Sequence, residues 1–382
     1  MNPPNEALPL AGEDLAVDRT PRIPGDLHKT ITMAQIARAA GVSQGAISSL
    51  LNDRDYGIRV SEKTRERVFK VCREMGYIPN DLRAVVRMYP ELGDFCLLIS
   101  SKFGGLTDPF VARVANATMQ AVSGTARSLT LALYDEDADY LQDVEKLPHP
   151  VRSGVASKFL YIGEPNKSLI HTVLKRGLPV ACVGCELTEP GAVTFLPDYQ
   201  QASQIALGHL FQLGHREIGI VSGPFGAVSA HVNELNRGVR LACEAVGLQV
   251  GAQSIIYGDL SFAAGQAAFA TFIERKPRPT AIFCMSDEAA AGIMAAAHAK
   301  GCDIPGDLSV IGCSDEPATR FAAPPLTTVH LPIEEMVQAA VAEIDRLVRQ
   351  GATGDGQRIV LPVRLVERES CAAPASKPCE PA

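Results

Sequence analysis

Apolar residues follow helical spacing in the first part of the chain and a strand-like pattern from about residue 95 onward. The stretch TITMAQIARAAGVSQGAISSLLN places two short amphipathic helices on either side of Gly41, which allows a sharp turn. Thr32 and Gln35 have the spacing of a capping box, and Ser43 can cap the second helix. This pattern predicts a helix-turn-helix. Its predicted buried positions are Ile36, Ala37, Ala40, Ala46, Ile47, Leu50 and Leu51.

A third helix is predicted to begin at Ser61, in the stretch VSEKTRERVFKVCREMGY, and to end at Gly76. Its apolar stripe consists of Val68, Val71, Cys72 and Met75. Pro79 and Asn80 can start a further short helix that Pro90 ends. We expect this last segment to link the helical part of the chain to the remainder.

The remainder of the chain alternates apolar strands with amphipathic helices. The predicted strands are FCLLIS, LTLALY, KFLYIG, PVACVG, EIGIVSG, TAIFCM and DLSVIGC, and the predicted helices cover residues 110–123, 199–213, 231–247, 262–274 and 287–299. Such alternation predicts an α/β fold in which helices flank parallel sheets. The length fits two subdomains, and a ligand would lie between them, beyond the carboxyl ends of the strands.

Charge is unevenly distributed along the sequence. Residues 29–90 contain eleven Lys and Arg against six Asp and Glu, whereas the 382-residue chain carries a net charge of −7. A small basic segment on an acidic body suggests that this segment binds a polyanion. In a helix-turn-helix the second helix enters the major groove of DNA, and its first residues meet the base edges. Here those residues are Ser43, Gln44, Gly45, Ala46, Ser48 and Ser49. The alternative is an ordinary helical hairpin.

Several classes of protein are disfavoured by what the sequence lacks. It has no apolar run of the ~20 residues that span a membrane and no signal-peptide pattern, so we expect a cytoplasmic protein. No nucleotide-binding fingerprint, nucleophile elbow or metal-ligand cluster occurs, so neither a cofactor nor an enzymatic activity is expected. Cys182 and Cys185 form one C-x-x-C among ten cysteines, for which buried thiols are favoured over zinc or redox chemistry. Residues 1–29 and 371–382 are predicted to be disordered tails.

The helical segment resembles the DNA-binding head of the lactose-repressor/galactose-repressor family. The resemblance rests on A-x-x-A-G-V-S, S-x-x-L-N, V-S-E-K-T-R-E-R-V and G-Y-I-P-N. It implies a hinge helix that enters the minor groove. Together with the basic residues nearby, it implies DNA contacts from Thr32, Ser43, Gln44, Gly45, Ala46, Ser48, Ser49, Asn52, Arg59, Ser61, Thr64, Tyr77, Asn80, Arg83, Val86 and Arg87. The chain departs from the family at Ser49, usually Arg, and at Val86, usually a Leu that wedges between bases.

The resemblance continues through the α/β part. It rests on D-P-F at 108–110, H-L-x-x-L-G-H-R-x-I-G-x-V-S-G-P at 209–224, S-D-E-A-A-A-G at 286–292, S-V-I-G at 309–312, P-P-L-T-T-V at 324–329 and L-P-V-R-L-V-E-R-E-S at 361–370. It implies a type-I periplasmic-binding-protein fold whose chain crosses three times between two subdomains. The implied domains are a head at 30–77, a hinge at 78–92, a first subdomain at 93–196 plus 332–353, and a second at 197–331 plus 354–370.

The resemblance also implies an effector site between the subdomains. Its residues would be Asp108, Phe110, Asp198, Ser229, Asn233, Leu235, Leu260, Phe262, Ser286, Asp287 and Ser314. Leu235 stands where the family has an Arg that grips the ligand, and Ser286 and Ser314 replace larger polar residues. We therefore expect a roomier cleft that binds a bulkier or less hydroxylated ligand than a monosaccharide, with Phe110 or Phe262 as its apolar face. A cleft that binds another ligand, or none, is the alternative.

These observations favour a homodimeric transcriptional repressor. It would bind a pseudo-palindromic DNA operator, and a small molecule such as a sugar derivative or glycoside would control its affinity. No membrane partner is expected. A solute-binding transport protein is the second hypothesis and an enzyme on a doubly wound fold is the third. Whether the effector induces or co-represses stays open.

Overall fold

The computed structural model describes residues 31–52, 60–75, 77, 93–125, 127–187, 189–223, 230–248, 251 and 254–374. The chain divides into two compact units between Ala84 and Val85. The described residues of the first unit, 31–77, form the head, and those of the second, 93–374, form the body. The predicted tail 1–29, the hinge 78–92 and the last residues 375–382 lie outside the described residues.

The head contains three helices, α1 Met33–Ala40, α2 Gln44–Asn52 and α3 Glu62–Met75. Thr32 and Gln35 form the predicted capping box at the start of α1, in which the Gln35 amide N–H donates to Thr32 Oγ1 over 3.3 Å. Gly41 ends α1 with a φ of 63°, in the left-handed region where glycine is favoured. Ser43 accepts a hydrogen bond from the Ala46 amide and begins α2. The predicted helix-turn-helix is therefore confirmed.

The head has a small core in which all three helices take part. Ile36 of α1, Ile47 of α2, and Val68 and Cys72 of α3 are fully buried. All seven positions predicted as buried in the first two helices are buried. In α3 the predicted stripe is buried only in part, because Val71 and Met75 keep some exposure. The predicted end of α3 at Gly76 lies outside the described residues.

The body contains twelve strands and eight α-helices within its described residues. The strands are β1 Asp94–Ser100, β2 Leu129–Tyr134, β3 Ala156–Ile162, β4 Val180–Val183, β5 Ala192–Pro197, β6 Ile218–Ser222, β7 Ile255–Tyr257, β8 Ala281–Cys284, β9 Ser309–Ser314, β10 Thr327–His330, β11 Arg358–Leu361 and β12 Arg364–Val366. The helices are α4 Pro109–Val122, α5 His149–Ser153, α6 Lys167–Lys175, α7 Tyr199–Gln212, α8 Ala230–Ala245, α9 Phe262–Ile273, α10 Asp287–Ala299 and α11 Ile333–Gln350.

The strands form two six-stranded sheets, each the centre of one lobe. The first has the order β11-β5-β4-β3-β1-β2 and is parallel throughout. The second has the order β12-β10-β9-β8-β6-β7, and only β12 runs antiparallel to its neighbour. Helices α4 and α11 bury apolar side chains against one face of the first sheet. The predicted α/β class with helices on parallel sheets is confirmed.

The chain passes between the lobes three times, after β5, after β10 and after β11. The first two passages lie within a few residues of the predicted boundaries at 196/197 and 331/332, the first of which falls before Pro197, the last residue of β5. The third boundary, predicted at 353/354, is wrong, because Arg358–Leu361 pair in parallel with β5 of the first sheet. Only Pro362 and Val363 separate β11 from β12, which belongs to the second sheet. The passage therefore lies at residues 362–363.

The start of the predicted C-terminal tail is docked on the second lobe, so its predicted disorder is wrong for residues 371–374. The Ser309 hydroxyl donates to the Ala372 carbonyl over 3.1 Å, and the Ala372 amide donates to the Ser309 hydroxyl oxygen. His215 completes this contact, with Nε2 2.8 Å from the same carbonyl and Nδ1 2.8 Å from Thr280 Oγ1. The tail is anchored because the buried carbonyl and imidazole satisfy each other.

His215 is expected to make the stability of the second lobe depend on pH. Burial lowers the pKa of this imidazole, further helped by the charge of His209 and opposed by the bond to Ala372. Since the folded pKa lies below that of an unfolded histidine, about 6.5, the stabilisation is complete above that pH and is lost as the pH falls through the folded pKa. Thermal unfolding should therefore show a falling midpoint between pH 7.5 and 5. The fall should be shallower in His215→Gln, and equal slopes for both proteins would contradict this assignment.

The nine described cysteines are free thiols. Burial holds the pKa of Cys182 well above its usual range, and Cys185 is half-buried. No group of His, Cys, Asp or Glu side chains among the described residues could hold a metal ion. Within the same residues, no helix has the length and hydropathy that crossing a membrane requires.

Candidate DNA interface and effector cleft

The start of α2 presents an exposed polar surface. Ser43, Gln44 and Gly45 are exposed, whereas the methyl group of Ala46 lies in the head core with only 6% exposure. Ala46 was expected among the DNA-contacting residues, but its side chain points away from this surface because α2 needs it to pack on the other helices. Gln44 is the first residue of the helix, and it is exposed.

Ser48 and Ser49 are half-buried residues on the same helix as Gln44, and both make contacts within the head. At the start of α3 the hydroxyls of Ser61 and Thr64 lie 2.9 Å apart, and Ser61 accepts from the Thr64 amide. Tyr77 donates its backbone N–H to the Cys72 carbonyl over 2.9 Å at the end of α3. The hydroxyls of Ser61 and Thr64 therefore cap a helix as well as being candidate phosphate ligands.

Some predicted DNA contacts fall outside what the structure describes. Asn52 ends α2, but its side chain is not among the described groups. The others outside the described residues are Arg59, Asn80, Arg83, Val86 and Arg87. Exposed cations of the described head are Arg38, Lys63, Arg65, Arg67, Lys70 and Arg73. They keep the described head basic, as binding to a phosphate backbone requires.

The residues predicted to form the first-lobe wall of the cleft lie beyond the carboxyl ends of β1 and β4. Asp108 caps α4 and accepts from the Val111 amide over 3.0 Å. Phe110 packs against Gly184, where a Cβ atom would lie 2.6 Å from the ring; this close approach and a φ of 75° both favour glycine. Its ring centroid lies 6.4 Å from that of Phe103. The two half-buried rings supply an apolar surface of the kind that a sugar ring or aglycone packs against.

The second-lobe wall uses most of its polar side chains internally. The Ser286 hydroxyl caps α10 and donates to the Leu260 carbonyl over 2.7 Å. Asp287 is buried, and its carboxylate accepts from Thr328 Oγ1 over 2.6 Å and from the Glu316 amide over 2.7 Å. Burial raises the pKa of Asp287 to about 6. The predicted ligand contacts of Ser286 and Asp287 are therefore occupied by the protein's own groups in this structure.

The remaining predicted effector residues are divided between core and surface. Leu235 is 2% exposed and belongs to the core that α7 and α8 form, so it offers the cleft no polar atom. Asn233 is exposed, and Phe262 is 40% exposed at the start of α9. Asp198 caps α7 through the Gln201 amide at the first passage between the lobes. Ser229 lies outside the described residues.

Backbone strain is concentrated on the second-lobe wall. Among the described residues, the non-glycine positions with a left-handed φ are Leu260 at 62°, Ser314 at 150° and Asp315 at 58°. Leu260 follows β7, and the other two lie at the end of β9. Strained residues persist where surrounding contacts hold them, and such residues cluster at binding sites and switch regions.

Arg113 of α4 reaches this strained segment and was not singled out by the sequence patterns. Its guanidinium forms a fork with Glu334, with bonds of 3.0 and 2.7 Å, and Nη1 donates to the Ser314 carbonyl over 3.0 Å. Glu316 Oε1 lies 3.4 Å from the same nitrogen. Burial opposes the charge of Arg113, but the hydrogen bond and charge of Glu334, with the charge of Glu316, hold its pKa above the ordinary value.

Two family models match the chain in the order in which its two units occur. The model for bacterial regulatory proteins of the lacI family matches residues 32–80, and the model for the periplasmic binding protein-like domain matches residues 207–371. The chain belongs to the lacI family. A LacI-type protein with this head is a DNA-binding transcriptional regulator.

Relatives of this lacI-family chain match it along most of its length. The HTH-type transcriptional regulator CelR of Thermobifida fusca is 29% identical over 344 residues, which make up 89% of this chain and 98% of CelR. Among solved structures, a CelR–cellobiose complex is 25% identical with a TM-score of 0.62, covering 89% of this chain and 99% of that one. The lac repressor dimer bound to operator and the anti-inducer ONPF is 22% identical with the same TM-score, covering 90% and 100%. The last likeness bears on the fold alone.

Proposed function

We propose that this LacI-type protein is a homodimeric repressor that binds a pseudo-palindromic operator in the cytoplasm and is controlled by a small molecule between the lobes of its body. The observation that carries the proposal is the exposed polar start of α2 on a basic helix-turn-helix head. Ser43 and Gln44 lie there without being needed for the head core. This is the part of a recognition helix that meets base edges in the major groove.

A homodimer is supported by an apolar strip on the first lobe. Strand β2 is the edge of its sheet, and Leu131 and Leu133 on it are 41% and 60% exposed. Met119 of α4 is 56% exposed. Edge strands with exposed apolar side chains are unfavourable in water unless a partner covers them. A second copy would cover the strip and would supply the second head that a two-fold operator requires.

The ligand proposed is a disaccharide or glycoside rather than a free monosaccharide. The apolar surface of Phe103 and Phe110 suits packing against the face of a sugar ring or an aglycone. Ser286 and Asp287 already make hydrogen bonds to groups of their own lobe. Few of the polar side chains predicted to bind ligand hydroxyls are therefore available in this arrangement, so a ligand with more apolar contact is favoured. The related CelR was solved with a disaccharide, cellobiose.

Calorimetry tests the ligand class. Full-length protein would be titrated with glucose, galactose and ribose, then with cellobiose and aryl glycosides of the same sugars. The proposal expects heat of binding from the disaccharide or the glycosides and a loss of that binding in Phe110→Ala. Tight binding of a free hexose that persists in Phe110→Ala would contradict it. If no compound gave a heat of binding while DNA binding was intact, a protein that no longer responds to an effector would be favoured.

Gln44→Ala is expected to relax the choice of base at one position in each half-site. A glutamine carboxamide can pair with adenine N6 and N7, and loss of such a contact costs about 1–3 kcal/mol of discrimination. The measurement is selection of bound DNA from a random pool by wild type and variant, followed by titration of the selected operator. Arg38→Ala, which removes an exposed cation of α1, serves as the control and should weaken binding to all sequences alike. An identical selected motif for Gln44→Ala would refute the assignment.

A further inference from the structure

Arg113 joins the two lobes of the body through one buried guanidinium. The side chain is 10% exposed. Its partner Glu334 stands in the first turn of α11 in the first lobe, whereas Ser314 and Glu316 stand at the end of β9 in the second. We call these four residues the Arg113 bridge. A fork of this kind fixes both distance and orientation, which a single point charge does not.

The second-lobe side of the Arg113 bridge is built to hold its position. The Ser314 hydroxyl donates to Glu316 Oε1 over 2.7 Å, and the Glu316 amide donates to the buried carboxylate of Asp287. The left-handed φ values of Ser314 and Asp315 place the Ser314 carbonyl where it accepts from Arg113. Arg368 and His330 both bind the Asp315 carboxylate and keep this conformation in place.

We propose that the Arg113 bridge is a latch that holds the lobes in the arrangement described, and that Arg113 couples the cleft to DNA binding. The inference rests on the proposed function, because a latch between the lobes affects operators only if the arrangement of the lobes sets operator affinity. Ser314 is one of the residues at which an effector is expected. A ligand that donates a hydrogen bond to the Ser314 carbonyl competes with Nη1 of Arg113 for that oxygen, so that occupying the cleft weakens the latch.

The chemistry of the Arg113 bridge also limits what can open the latch. Arg113 donates to the carbonyl and hydroxyl oxygens of Ser314 and to two carboxylates, all of which act as hydrogen-bond acceptors. Two carboxylates surround one guanidinium, so the site favours an incoming group that donates hydrogen bonds and disfavours an anion. A hydroxyl-bearing ligand meets this condition, whereas a sugar phosphate would be repelled by Glu316 and Glu334.

Hydrogen exchange on the full-length protein, without ligand or DNA, tests the latch. In Arg113→Met and in Glu316→Gln the backbone amides of the non-proline residues in 314–319 and 110–113 should exchange at least about fivefold faster, within the range of typical coupling between sites. Glu316→Gln leaves intact the hydrogen bond from the backbone N–H of residue 316 to the Asp287 carboxylate, so it keeps the loop folded. The matched control is Arg346→Met, which breaks an ion pair with Glu343 inside α11 of the first lobe. It should leave those amides within about twofold of wild type, below the range of coupling between sites.

Operator titration supplies the second readout. On the operator that the wild type selects, both single variants should change the dissociation constant by about fivefold or more in the same direction, and the double variant no further. Unchanged exchange at residues 314–319, or additive effects of the two substitutions, would overturn the latch. Failure of the wild type to select any DNA would instead refute the proposed function, and exchange would still decide on the latch.

Discussion

Asp345→Ala is expected to lower the free energy of unfolding by about 3–5 kcal/mol, the usual cost of breaking a buried ion pair from one side. Asp345 of α11 lies 3.1 Å from the ammonium of Lys158, whose side chain is 1% exposed. It also accepts two bonds from Arg127, of 2.6 and 2.7 Å. Both cations lie 5.2 Å from the ring centroid of Phe95. Without the carboxylate, two charges would remain in an apolar part of the first lobe.

Chemical unfolding followed by circular dichroism measures this effect. Lys158→Met, which replaces the buried ammonium by an apolar side chain of similar length, should cost less than Asp345→Ala. Glu343→Gln is the control, because it removes an ion pair within the same helix whose Arg346 partner is 48% exposed, and it should change stability less. If Lys158→Met lowered the free energy of unfolding more than Asp345→Ala, the unpaired cations would not be the main cause of the loss of stability.

Gly238→Ala is expected to destabilise the second lobe by about 1–3 kcal/mol or more, as overpacking of a close contact does. A Cβ atom at Gly238 in α8 would lie 2.1 Å from the carbonyl oxygen of Gln200 in α7. Backbone cannot move aside as a flexible side chain can, so the two helices would have to separate. The thermal unfolding midpoint should fall accordingly.

The neighbouring helix offers a matched control for this substitution. Gly208 lies inside α7, and nothing stands within 4 Å of the Cβ that Gly208→Ala would add. Gly208→Ala should therefore stabilise the protein by about 0.4–1 kcal/mol, because alanine restricts the unfolded chain. If both substitutions shifted the midpoint in the same direction, the close approach of α7 and α8 would not be what decides the outcome.

Features that depend on neighbouring residues were predictable from the sequence. The capping box of Thr32 and Gln35 and the turn at Gly41 involve residues a few positions apart, and both formed as expected. The seven strands predicted from continuous apolar runs are also present. Six of them lie inside the sheets, where strands are covered on both faces and read as continuous apolar runs. Local pattern and tertiary structure agree in these elements.

Features that depend on distant partners were not predictable. Strands β10, β11 and β12 have three or four residues each, and their pairing with remote strands defines them. Arg113 looks like an ordinary polar position of an amphipathic helix, and its partner Glu334 is far away in sequence. The left-handed φ of Ser314 could not be predicted, because this conformation usually occurs at glycine and the residue here is serine. The sequence suggested Ser286 and Asp287 as effector residues but did not reveal that their side chains bind groups of their own lobe.

The return of the chain to the first lobe constrains how the protein is made on the ribosome. The apolar face of the first sheet is covered partly by α11, which emerges only after residues 198–332 have been synthesised. At about 5–20 residues per second, this face waits for roughly ten seconds in the nascent chain. The second lobe has to begin folding beside an unfinished neighbour. Chaperone dependence during translation should accordingly exceed that of refolding the complete chain.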